Sequence, residues 1–98
     1  MSKKLSKKEE MKLKLTILEA EYVAMENLKA TSYNVHAKDL SRTAISTLYH
    51  QQLYLDTLIV KICKLVERLK KDGVSVHRNE TALRLYWEYS DKIHLGLF

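Results

Sequence analysis

The stretch "HQQLYLD" (His50–Asp56) contains neither glycine nor proline, and the number of helices in the chain turns on whether one helix passes through it. Around it, Ile45, Leu48, Gln52, Leu55, Ile59, Ile62, Val66 and Leu69 recur at steps of three and four, the period of one helical face. Periodicity by itself runs a single helix from Asp39 to Asp72, which gives three helices in all.

On the N-terminal side, Met11, Leu15, Leu18, Tyr22 and Met25 form another such stripe. Extended forward it meets Lys29, Ser32, His36 and Asp39. The later stripe extended backward meets Ser41, Lys38, Asn34 and Thr31. The two stripes differ in phase, so a turn is expected within "KATSYNVHAKD" (Lys29–Asp39). There Thr, Ser, Asn and Asp side chains compete for the backbone, and Asn34 or Asp39 is the expected cap of the next helix.

Between Leu53 and Leu69, the residues Tyr54, Leu55, Leu58, Ile59, Ile62, Cys63, Leu65, Val66 and Leu69 cover about half of a helix circumference. A helix that apolar touches at least two neighbours. Its opposite edge is a row of Lys61, Lys64, Arg68 and Lys71.

Downstream, Lys70, Lys71, Asp72 and Gly73 read as a helix C-terminus. Cations there oppose the negative end of the dipole, and glycine takes the left-handed conformation that follows. Val74–Val76 is a short extended link, Asn79 an N-cap and Glu80 a favourable first-turn acid. The last helix spans Glu80 to His94. It carries Ala82, Leu85, Tyr86, Tyr89 and Ile93 on one side, with Leu83, Trp87 and His94 beside them.

The bulk numbers agree with an all-α domain of 98 residues: no proline, two glycines, 46% hydrophobic and 30% charged residues. A net charge of +5 raises a polyanion or an anionic membrane surface as partner, set against plain solubility. Cys63 alone forms no internal disulfide and fits a reducing compartment. The basic segment 1–8 lacks the apolar run of a secretory signal, and no window is long and apolar enough to cross a membrane. A cytosolic location is expected, partly at the inner face of the membrane.

Candidates for chemistry are few. His36, His50, His77 and His94 form no recognised metal-binding motif, since HExxH and CxxC are both missing. Cys63 lies on the apolar arc, as a buried, inert thiol does. Glu19, Glu21 and Glu26 share no helical face with a histidine. No enzyme, metal, cofactor or small-molecule substrate is expected. Lysine outnumbers arginine in the basic rows, which argues against base-specific DNA readout but leaves a non-specific phosphate contact open. Trp87, beside Leu83 and His94, is either core or an interface anchor.

"KKDGVS" (Lys70–Ser75), a final helix and the ending "KIHLGLF" (Lys92–Phe98) together resemble the immunity proteins of pediocin-like (class IIa) bacteriocins. The likeness covers about the last third of the chain. It implies a cytosolic antiparallel four-helix bundle with a short flexible tail at 95–98. That fold breaks the long helix near His50–Leu55, giving helices near 6–30, 35–49, 54–72 and 80–94. The implied role is non-enzymatic. The protein associates with the bacteriocin-engaged mannose phosphotransferase receptor in the membrane and blocks the pore.

The family's C-terminal half maps onto the partner-recognition candidates Lys64, Arg68, Lys71, Gly73, Leu83, Trp87, His94, Leu95, Leu97 and Phe98. This sequence departs from the family in lacking a proline near His50–Asp56 and in ending on Leu97 and Phe98 instead of tyrosines. A monomer that does not bind nucleic acid is expected. The alternative is a small basic helical regulator that binds nucleic acid non-specifically.

Overall fold

The computed structural model describes residues 5–36 and 41–98 and contains three helices: α1 (Lys7–His36), α2 (Arg42–Lys71) and α3 (Glu80–His94). The expected four-helix bundle is therefore corrected to three helices. The segments expected at 35–49 and 54–72 are one element that begins at Arg42 and passes through His50–Leu55 unbroken. The cause is local. Nothing in that stretch interrupts the backbone ladder, and some of its side chains bond within the helix. Gln52 donates to Asp56 Oδ1 at 2.7 Å, and Thr57 Oγ1 donates back to the Leu53 carbonyl at 2.9 Å.

α1 continues beyond residue 30 through Asn34 to His36, so the expected Lys29–Asp39 turn is helix as far as His36, and the remainder lies outside the described residues. Thr31 donates its hydroxyl back to the Asn27 carbonyl at 3.1 Å instead of ending the helix. Asn34 is inside α1 and so does not start the next helix, and Asp39 lies outside the described residues. The cap of α2 is Ser41, whose Oγ accepts the Ala44 N–H at 3.2 Å.

α1 and α2 run antiparallel as a long hairpin, and α3 doubles back along the C-terminal half of α2. The core joins Leu15, Leu18 and Tyr22 of α1 to Leu55, Leu58, Ile59, Ile62, Val66 and Leu69 of α2 and to Ala82 and Leu85 of α3. The stripes and the half-circumference arc of α2 thus bury as the periodicity requires, because α2 is sandwiched between two neighbours. Tyr54 and Ile45, by contrast, stay exposed.

Beyond the reach of α3 the hairpin seam changes character. Lys29 bonds Gln52, and Gln51 donates to Ser32 Oγ at 3.0 Å. Between Lys29–Ser32 and Gln51–Gln52 the seam is therefore polar, while Ala44, nearer residues 37–40, is buried. The resulting body is elongated, 51 × 40 × 18 Å, with a radius of gyration of 16.2 Å. A compact chain of this length has about 13 Å.

Candidate functional site

The elbow between α2 and α3 is built by the glycine the sequence points to. Gly73 has φ +74°. Its N–H bonds the Lys70 carbonyl at 3.1 Å, and the Val74 N–H bonds the Leu69 carbonyl at 2.9 Å. This pair is the Schellman arrangement, which satisfies the last carbonyls of a helix and turns the chain sharply. Val76 is then buried, and the chain enters α3 at Asn79.

Asn79 occupies the N-cap position without capping through its own side chain. Its buried amide instead donates to Thr16 Oγ1 at 3.2 Å and to Glu19 Oε1 at 3.4 Å. Glu19 supplies the missing cap from another helix, since its Oε2 accepts the Ala82 N–H at 2.8 Å. A carboxylate on the first turn of α3 meets the positive end of that helix dipole. α1 thereby fixes where α3 begins and how it is aimed.

That aim leaves Trp87 outside. It is 67% exposed, although a lone tryptophan on an amphipathic helix is ordinarily packed. The Lys70 ammonium sits 4.5 Å above the Trp87 ring centroid and 5.0 Å from that of Tyr86, and the two rings meet edge to face at 5.6 Å. A cation over an indole face contributes about 0.5–1 kcal/mol at an exposed site. Trp87 is thus exposed but held. Around it, Lys70, Gly73, Val74, Val76, His77 and Leu83 line an open hollow of about 380 Å³.

The ten recognition candidates divide among several neighbourhoods. Gly73, Leu83 and Trp87 meet at the elbow hollow. Lys64 and His94 border a second hollow with Cys63, Glu67, Ser90 and Ile93, where His94 Nε2 lies 3.1 Å from Glu67 Oε2. Arg68 and Lys71 are exposed along α2 and paired one turn away with Asp72 at 3.5 Å and Glu67 at 3.6 Å. Leu95, Leu97 and Phe98 form the end of the chain. Gly96, with φ +71°, makes a second Schellman turn there through Leu97 N–H to the Lys92 carbonyl, and Phe98 packs edge-on to Tyr89 at 5.2 Å.

Two residues from Trp87 to Tyr89 turn the helix by about 200°, so the tail contact lies on the far side of α3 from the tryptophan. The residues that sequence reasoning missed at the elbow are Lys70, Tyr86 and His77. Lys70 was legible as a helix-terminal cation, but the rings it covers depend on the crossing of α3.

Burial shapes the ionisable groups of the core. It raises the Cys63 thiol to about 11, and Cys63 Sγ approaches the Leu85 carbonyl at 3.5 Å. Tyr22 and Tyr89 are raised as well, first by burial and then by neighbouring glutamates: Glu26 for Tyr22 and Glu88 for Tyr89. Among the described residues no three His, Cys, Asp or Glu side chains converge on a metal-sized site, and no helix is long and apolar enough to cross a membrane.

The antiparallel hairpin also sets Lys14 beside Lys61 and Lys64, around Leu18 and Leu65. No family model matches the chain, and no curated protein or solved structure is significantly similar to it.

Proposed function

We propose that this chain is a non-enzymatic recognition protein that docks a protein partner at the elbow between α2 and α3. The observation that carries this reading is Trp87, two-thirds exposed yet clamped by Lys70 beside an apolar hollow. Exposed, preordered tryptophan is the residue most often found at the energetic centre of protein interfaces, because its large area is buried with little loss of rotamer freedom. Leu83 and Val74 supply the apolar floor, and His77 and Lys70 supply a polar rim.

The specific role to which "KKDGVS" and the chain ending point is immunity to a class IIa bacteriocin. In that role the partner is the bacteriocin-engaged mannose phosphotransferase receptor. The test is expression in a sensitive strain that is then challenged with class IIa peptides. Protection is expected, and Trp87→Ala is expected to lose it while lowering the melting temperature by only a few degrees, as loss of the Lys70 contact implies. Absence of protection against every peptide would remove the immunity role. A receptor-independent partner captured through Trp87 would leave the docking surface standing.

The juxtaposition of Lys14, Lys61 and Lys64 favours a second reading, non-specific nucleic-acid binding. A gel shift at two salt concentrations separates the two readings. Tight binding that weakens steeply with salt and survives Trp87→Ala belongs to the lysines and overturns the elbow reading.

A further inference from the structure

α1 is apolar on two opposite faces, and only one of them is used. Leu15, Leu18 and Tyr22 enter the core, whereas Leu13, Ile17, Ala20, Ala24 and Leu28 form a second stripe, also at helical spacing, that is exposed along its whole length. Val23 is exposed at its edge, and Glu21, which accepts a hydrogen bond from the Tyr54 hydroxyl, stands at its rim. At 100° per residue this stripe points away from both α2 and α3. Exposed apolar side chains scattered singly need no explanation, but a continuous apolar row along about four turns does.

The elongated chain as a whole also exposes more surface than a compact fold. It exposes 7372 Å² at a mass of 11.5 kDa, whereas a compact monomer of that mass exposes about 5,800 Å², leaving an excess of about 1,600 Å². Stable interfaces remove about 800 Å² from each partner, and obligate dimers remove more.

The stripe is also self-complementary. A two-fold axis between Ala20 and Glu21, with two α1 helices antiparallel, sets Leu13 against Leu28 of the second copy and Ile17 against its Ala24. The small Ala20 and Ala24 side chains near the axis let the helices approach closely, and the leucines close the two ends. Each pairing occurs twice, as a two-fold interface requires. We infer that the occupant of this face is a second copy of the chain, and that the protein is a dimer joined through the Leu13–Leu28 stripe of α1. This surface is separate from the elbow and independent of the function proposed for it.

The test is sedimentation equilibrium on the full chain across a wide concentration range. The expected mass is twice 11.5 kDa. Ile17→Lys and Ala24→Glu alter exposed side chains and are each expected to give monomers with wild-type helical circular dichroism. Mixed in equal amounts, they are expected to return to a dimer, because the introduced lysine of one chain then faces the introduced glutamate of the other. A wild-type chain that sediments at 11.5 kDa at all concentrations overturns the inference. If that monomer also co-sediments with anionic vesicles, the stripe belongs to a membrane surface. A dimer that both variants leave intact places the interface elsewhere and overturns the inference equally.

Discussion

At the scale of single residues, Glu19 has the largest consequence for its size. It caps α3 and holds the Asn79 amide, so Glu19→Ala leaves a helix N–H and a buried amide short of an acceptor. A loss of about 1–2 kcal/mol is expected in urea unfolding, with Glu19→Gln losing less because an acceptor remains. At Gly73 an added Cβ meets nothing within 4 Å, so the cost of Gly73→Ala is the left-handed backbone alone, about 1 kcal/mol. Gly73→Asn is expected to cost less.

The buried acids give a pH signature. Cys63 is raised from 9.0 to about 11, so between those values the folded chain keeps a proton that the unfolded chain releases. Stability is therefore full below about pH 9 and falls as pH rises towards 11, by roughly 2–3 kcal/mol from this thiol, and Tyr22 adds to the fall above pH 10. Melting temperature measured from pH 7 to 11 checks this, with Cys63→Ala expected to show a shallower decline above about pH 9.

At the scale of elements, the two halves of the α1–α2 hairpin are held by different forces. The half under α3 buries Leu15, Leu18, Leu58, Ile62 and Val66, whereas beyond it Lys29, Ser32, Gln51 and Gln52 hydrogen-bond across the seam. Polar seams add less stability per contact than apolar burial, so the second half is expected to open by itself. Amide exchange is expected to be fast for Thr43–Gln52 and slow for Leu58–Leu69, and equal protection along α2 would show the seam to be as strong as the core.

At the scale of the whole molecule, the hairpin topology concentrates positive charge. Lys14 of α1 lies beside Lys61 and Lys64 of α2 in a chain of net charge +5. Like charges around one hollow repel, and salt screens them. Stability is expected to rise with ionic strength, and Lys61→Glu is expected to raise it by a few tenths of a kcal/mol at low salt and by nothing at high salt. A stability that falls with added salt would mean that the attractive pairs, Arg68–Asp72 and Lys71–Glu67, dominate instead.

Local chemistry was legible in the sequence. The lack of proline and the scarcity of glycine made an all-α chain. The helix-ending turn at Gly96 was not read from the sequence, but Gly73 ends α2 in the left-handed conformation, α3 spans the residues its period indicates, and the unbroken period through His50–Asp56 runs one helix where the family resemblance breaks it. Each of these depends on interactions within about one turn of chain, which a sequence displays directly.

The tertiary structure decided what distant residues do to one another. Glu19 caps a helix that begins some sixty residues later, Lys70 covers rings on a different element, and Trp87 faces outward because α1 sets the angle of α3. The second apolar stripe of α1 was present in the sequence as a pattern, but a pattern does not say which face meets a neighbour. That depends on how many helices exist and how they cross, and three helices leave one face of α1 uncovered.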